Sequence, residues 1–246
     1  MKEIGLLFSA PMARAMVRPV NPKTQTRRLP AAHNCLVDGH GMSAKRWAAM
    51  QFDWANAWVD GHDCIKVASL NPDNHGTVHR IYPRAEVGDV VWGRETWNWF
   101  DPTCIPAERA GPVAPVTGAQ GNRKIPWLAA FAADGELPYP GHEGRSHWRP
   151  AIHMPRWVAR IVRPIARMRF ERLQDISRND AISEGLVQHQ GAESWWGTGL
   201  EGTGFNGCRF LSPIQAYREL WQHINGPTSW AANPIVLAYE FGAPTP

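Results

Sequence analysis

The stretch Glu86-Val87-Gly88-Asp89-Val90-Val91-Trp92-Gly93-Arg94-Glu95-Thr96-Trp97 decides how this chain of 246 residues is read. Gly88-Asp89 supplies a turn, and the β-branched and aromatic residues after it favour a strand. Similar signals lie at both ends of the chain. Ile4-Gly5-Leu6-Leu7-Phe8 reads as a short buried strand, and Ile235-Val236-Leu237-Ala238-Tyr239-Glu240-Phe241 as the closing one. Trp157 to Phe170 alternates well enough for one long strand, or two short ones broken near Pro164.

Helices punctuate these strands. Pro11 opens a brief helix from Met12 to Val17, which Pro19 and Pro22 stop. Ser177-x-x-Asp180 caps a helix over Asp180–Glu184, with Gly185 as its stop. Ser212-Pro213-x-Gln215 is a stronger capping box that leads Ile214 to Ile224 before Asn225-Gly226. No strand–helix–strand alternation runs through the chain. The expected fold class is therefore α+β, a mixed β-barrel with peripheral helices. A single domain is expected over 1–246, with insertions at about 30–84 and 101–145. The first insertion carries a Trp-bearing helical candidate at Ser43–Val59. Residues 186–211, rich in Gly and Trp, are expected to form a loop over a pocket.

Composition excludes several classes. With 43% hydrophobic and 20% charged residues the chain can bury a core and is not disordered overall. No apolar run reaches the roughly 18 residues a membrane helix needs. The start, Met1-Lys2-Glu3, lacks the apolar core of a secretory leader, so a cytoplasmic location is expected. Cys35, Cys64, Cys104 and Cys208 are scattered without a Cys-x-x-Cys pair, and the spacing of His33-x-Cys35 and His62-x-Cys64 does not suit a structural zinc site. No metal or organic cofactor is implied.

Of 26 basic residues 21 are Arg, whose planar fork suits phosphate and stacks on bases. One group lies at Arg14, Arg18, Arg27 and Arg28, in a stretch with no acidic residue between Glu3 and Asp38. A second runs from Arg145 to Arg172, through Arg156, Arg160, Arg163, Arg167 and Arg169, interrupted only by Glu171. Charge of this kind without acidic neighbours points to an anionic ligand. Thirteen tryptophans serve core packing, base stacking or both.

The densest chemistry is Lys23-Thr24-Gln25-Thr26-Arg27-Arg28, which offers a nucleophile in Thr26, a proton acceptor in Lys23 and two guanidinium forks. Residues three apart on a strand point to opposite faces. Lys23 and Thr26 therefore converge only if the turn after Pro22 carries Lys23 back; otherwise this is a basic turn followed by an ordinary strand Thr. Glu95 either pairs with Arg27 or Arg28 or hydrogen-bonds a base edge. Trp97 and Trp157 stack on a base or pack in the core. Arg156 is a phosphate contact in this reading. Ser9, at the end of the first strand, either donates to a ligand or caps the following helix.

The succession of a strand, a short helix, Lys-Thr-x-Thr-Arg-Arg at 23–28, Gly-Asp-x-x-Trp-x-Arg-Glu-Thr-Trp at 88–97 and Leu-x-x-Ile-x-x-x-Asp-Ala-x-x-Glu-Gly at 173–185 resembles the ASCH domain family of the PUA-like barrel superfamily, in particular its phage and prophage members. Leu7-Phe8-Ser9-Ala10-Pro11-Met12, Ile152-His153-Met154-Pro155-Arg156-Trp157 and Ala232-Asn233-Pro234 add to the likeness; residues 30–84 and 101–145 fall outside it. The resemblance implies a PUA-like barrel, a bacterial or phage-infected cytoplasm, and a modified nucleoside or a nucleic acid, RNA or DNA, as partner. The related N4-acetylcytidine amidohydrolases use Lys, Thr and Glu, which fall here on Lys23, Thr26 and Glu184. On that basis Thr26 attacks the acyl carbon, Lys23 takes its proton and Glu184 protonates the leaving nitrogen. Ser9, Arg27, Arg28, Glu95, Trp97, Arg156 and Trp157 would contact the substrate. A carboxylate at a helix C-terminus faces the negative end of the macrodipole, which suits Glu184 to proton transfer. The alternatives are a non-catalytic RNA- or DNA-binding module, with Arg156, Arg160, Arg163 and Arg167 tracking phosphates, or a ribonuclease.

Overall fold

The computed structural model describes residues 1–19, 21–61, 63–100, 113–114, 127–135, 148–188, 195–196 and 210–243. Its central sheet is built from the strands the sequence marks: β1 (Glu3–Leu7), β2 (Gln25–Arg28), β7 (Val90–Arg94), β11 (Val162–Arg172) and β14 (Ile235–Phe241), in the order β1-β7-β11-β14-β2. β1 runs parallel to β7, with Glu3 opposite Val90 and Leu7 opposite Arg94. The remaining pairs are antiparallel. β11 is one long strand with two partners. Val162–Pro164 pairs with β7, and from Ile165 onward the strand pairs with β14, with an irregularity in register between Ile165 and Arg167. Pro164 cannot donate to a ladder, which explains why the change of partner falls beside it.

The closed barrel expected from the sequence is not found: the fold is α+β and dominated by sheet, and no ladder among the described residues joins β1 to β2. Instead Nη2 of Arg28, on one edge strand, donates to the carbonyl of Leu7 on the other at 2.6 Å. A side chain spans the gap where backbone pairing would have closed a barrel.

Residues 35–83 form a second antiparallel sheet, β3 (Cys35–Val37), β4 (Trp58–Asp60), β5 (Cys64–Ala68) and β6 (Val78–Pro83), in the order β3-β6-β5-β4. Its Val37, Ile65, Val67 and Ile81 share one core with Leu6, Phe8, Ile165, Leu237, Tyr239 and Phe241 of the central sheet. The helical candidate at Ser43–Val59 is corrected to α2 (Ala44–Ala49), which buries no residue; the chain leaves it at Met50 and turns through Gln51 at φ 44°. Trp47 alone anchors this helix to the core, through contacts with Phe52 and Trp54, and the helix stops after less than two turns. A third sheet contains β8 (Trp97–Phe100), β9 (Val113–Ala114) and β10 (Trp127–Phe131). Most of the second expected insertion, 101–145, lies outside the described residues. So does most of the expected pocket loop at 186–211, where β12 (Val187–Gln188) pairs with β13 (Trp195–Trp196).

The helices follow their caps. α1 is Ala10–Val17. α3 (Arg178–Ser183) carries the full capping box between Ser177 and Asp180. α4 (Pro213–Asn225) starts at Ser212, whose hydroxyl accepts from the Gln215 N–H at 3.2 Å, and buries Pro213, Ala216, Tyr217, Leu220 and Trp221. That spacing is one face of a helix, and the face packs with Leu173, Ile176, Ala181, Leu186 and Val236 in a second core. No helix among the described residues is long and apolar enough to cross a membrane.

Candidate functional site

Backbone hydrogen bonds hold the Lys23–Arg28 segment between two helices. The Lys23 N–H donates to Ala15 in α1 at 2.8 Å, and the Thr24 N–H to Ser183 in α3 at 2.9 Å. β2 then pairs with β14, placing Thr26 opposite Tyr239, Arg27 opposite Ala238 and Arg28 opposite Leu237. Alternation along the strand separates Gln25 and Arg27 from Thr26 and Arg28.

On the Arg27 side lies a buried ion cluster. Glu184, the C-terminal cap of α3, is 3% exposed, and its Oε1 accepts from Arg27 Nη1 at 2.9 Å. Its Oε2 pairs with Lys23 Nζ, which also donates to the Glu184 carbonyl at 2.8 Å. A cation at the last carbonyl of a helix is the favourable arrangement there. Arg27 continues to Glu171 at 2.6 Å and to Asp180 at 3.5 Å. Asp180 also accepts from Gln25 Nε2 at 2.8 Å and pairs with Arg169 at 3.1 Å; Arg169 binds Glu171 at 2.7 Å and also Glu240. Burial pulls the Lys23 ammonium below its ordinary value, against the attraction of Glu184. Burial opposes ionisation of Arg27 too, but Glu184, Tyr217 and Glu171 outweigh it and hold the guanidinium firmly charged. Gly185 makes room for this packing: at φ 99° its missing Cβ would lie 3.1 Å from the Cβ atoms of both Ala15 and Lys23.

Beside the cluster is a cavity of about 520 Å³. Its walls are Gly5, Leu6 and Leu7 of β1, Arg27 and Arg28 of β2 with Leu29, Arg94 of β7, and Tyr217, Leu220, Trp221 and Ile224 of α4. It therefore opens where the central sheet fails to close. Glu184 is the one carboxylate in its lining among the described residues. A neighbouring cavity of about 310 Å³, lined in part by Trp47 and Arg84, shares Ala31 and His33 with it. Burial, with Arg28 and Arg84 nearby, lowers the pKa of His33.

The structure thus brings Lys23, Arg27 and Glu184 into contact, with Arg28 in the same cavity wall. Thr26 stands apart. It is fully buried, its Oγ1 has no hydrogen-bond partner, and neither it nor Lys23 lines the cavity. Ser9 occupies the N-cap position of α1 without a side-chain capping bond, and it too is outside the cavity lining. The expected pairing of Glu95 with Arg27 or Arg28 is corrected. Glu95 is 1% exposed and takes a two-pronged bond from Arg160, at 3.0 and 2.8 Å, with Asp134 on the same guanidinium at 2.8 Å. Trp97, also 1% exposed, packs with Phe131, Met154 and Val158 in a third core. Trp157 is 44% exposed and stacks on Trp99 at 6.1 Å.

The second arginine group does have acidic partners, and they come from distant positions. Arg156 forks onto Glu3 at 2.8 and 2.9 Å, Arg160 onto Glu95, and Arg167 lies 3.7 Å from Glu240. Arg163 donates to the Met16 carbonyl at 3.0 Å. Counting charges along the chain missed these carboxylates because they are 65 to 153 residues away or on another strand. The sequence reading also left out Arg94, His33, Tyr217 and Trp221 from the site. The helical spacing of Tyr217, Leu220, Trp221 and Ile224 was the available signal for the last two, although it marks a packing face and not a cavity. Set against family models, curated proteins and solved structures, the chain matches none.

Proposed function

We propose that this protein is a hydrolase of the ASCH, PUA-like type that holds a nucleobase in the cavity between β1 and β2 and removes an acyl group from N4-modified cytosine. The observation that carries the reading is Glu184, the single carboxylate in the cavity lining among the described residues, held by a buried Lys and a buried Arg. A cavity of about 520 Å³ falls within the roughly 300–1,000 Å³ typical of small-molecule sites, which are mostly apolar with a few placed polar groups. The α4 face, Leu6 and Leu7 of β1 and Leu29 after β2 provide apolar walls for a flat ring, and Tyr217 and Trp221 provide aromatic ones.

In the chemistry we propose, an acyl carbonyl beside Glu184 is attacked by an oxygen nucleophile. The Arg27 guanidinium stabilises the charge that develops on the carbonyl oxygen. A proton passes through Glu184 to the exocyclic nitrogen, which leaves as the free amine. The acyl group leaves directly as a carboxylic acid when water attacks; when Thr26 attacks, it is first held as a Thr26 ester that a water then hydrolyses. The Lys23 ammonium, weakened by burial, exchanges protons with Glu184 across their hydrogen bond. Two nucleophiles compete. Thr26 follows from the resemblance, whereas a water activated by Glu184 fits the separation of Thr26 from the cavity lining. The acidic partners of Arg156, Arg160 and Arg167 give less support to a nucleic-acid module that tracks phosphates with those residues.

The test is mass-spectrometric detection of cytidine, or of its 5′-monophosphate, released from a panel of N4-acetylcytidine, other N4-acylated cytosine nucleosides and their 5′-monophosphates. Wild type should turn over one of them, and Glu184→Gln should not. Thr26→Ala loses turnover if Thr26 attacks and keeps it if water does. A folded wild type inactive on the whole panel overturns the proposal.

A further inference from the structure

Resting on the nucleobase reading, we infer that the ligand of this cavity carries a phosphate, and that Arg28 and Arg94 bind it, so that the substrate class is a nucleoside monophosphate in preference to a free nucleoside. Both arginines line the cavity, and neither forms an ion pair with a carboxylate among the described residues. The Nε of each is buried without a hydrogen-bond partner. Arg28 uses Nη2 on the Leu7 carbonyl and lies over the Phe8 ring at 5.3 Å; Arg94 lies over the Trp92 ring at 4.7 Å. These contacts fix the planes of two guanidiniums without neutralising either.

Three arginines elsewhere in the molecule have their charge offset by carboxylates: Arg27, Arg160 and Arg169 each contact two or more. A half-buried guanidinium whose Nε is shut off from water without a partner carries a desolvation cost, and an anion arriving with the ligand offsets it. Burial indeed pulls the Arg28 guanidinium below its ordinary value, in spite of Glu184. Glu184 does not repel the incoming anion strongly, because Lys23 and Arg27 already offset its charge. Two planar forks also match the oxygens of a phosphate monoester better than those of any uncharged ribose.

The experiment is calorimetric titration of the full chain with cytidine, cytidine 5′-monophosphate and ribose 5-phosphate. A charge-assisted contact is gained, so the monophosphate should bind at least about tenfold more tightly than cytidine. Arg94→Gln should bring the two to near parity while cytidine affinity stays, and Arg28→Gln should do the same if a thermal melt shows it folded. Equal affinity of wild type for cytidine and its monophosphate overturns the phosphate assignment and leaves the nucleobase reading standing. Binding of ribose 5-phosphate at the affinity of the monophosphate, with none of cytidine, supports the anion site and removes the nucleobase. A monophosphate preference that survives in Arg94→Gln, or no binding of any of the three, overturns the inference.

Discussion

Arg27 and Arg28 are adjacent, identical in chemistry and both part of one cavity wall, yet they belong to different regions of this molecule. Arg27 faces the ion cluster of Glu171, Asp180 and Glu184, where its charge is neutralised. Arg28 faces the edge of β1 and meets a carbonyl and a phenyl ring instead. One is held in a rigid electrostatic frame; the other is left for something the protein does not itself supply. Strand alternation makes the difference, since one residue of shift exchanges the two faces.

The largest effect should come from attacking the frame at its centre. Glu184→Ala leaves Lys23 and Arg27 buried beside a lost counter-charge, and removing one partner of a buried pair costs about 3–5 kcal/mol. A denaturant titration should show a large drop in midpoint with an unchanged slope. If stability is unaltered, the cluster is not the frame described. Arg160→Ala is a second buried break, stranding Glu95, and should cost about 3 kcal/mol by the same argument. Burial raises the Glu95 carboxyl and Arg160 brings it back toward ionisation, so the loss in this variant should shrink as pH falls and Glu95 takes up a proton.

Next in size is Gly185→Ala. A positive φ and two Cβ contacts at 3.1 Å predict a cost of about 1–3 kcal/mol, with Lys23 displaced from Glu184. Loss of hydrolysis greater than loss of stability would locate the effect at that pair. A gentler change should follow acidification. Burial raises the Asp180 carboxyl, but bonds from Gln25 and Ser177 and the charges of Arg27 and Arg169 leave it lowered overall. A lowered carboxylate contributes stability that is full above its unfolded value of 3.8 and is lost as pH falls through the folded value. Melting temperature should therefore fall on the acid side of pH 4, and less steeply in Asp180→Asn. The smallest effect is Arg156→Ala. Its pair with Glu3 is more than a third exposed on both sides and solvent-screened, so it should cost under about 1 kcal/mol. Arg156 and Arg160 are four residues apart, and a similar cost for both would erase the distinction between frame and surface.

The sequence by itself determined the elements whose signals are local. The turn at Gly88-Asp89 and the strand after it, the capping box at Ser177, the N-cap bond at Ser212 and the strand from Ile235 are set by turn chemistry, cap chemistry and periodicity, all within a few residues. It also singled out Lys23, Thr26, Arg27 and Arg28, because residues 23–28 are dense with chemistry whatever surrounds them, whereas Glu184 was reached only through the family resemblance. Only the tertiary structure decided which of them meet. The open sheet, the meeting of Lys23 and Arg27 with Glu184, the joining of 35–83 to the main core and the partners of the arginine run all depend on contacts between residues far apart in the chain. Charge and periodicity read along a sequence carry no distance across the fold. An arginine's role is set by the carboxylate that folding brings, or does not bring, to its side.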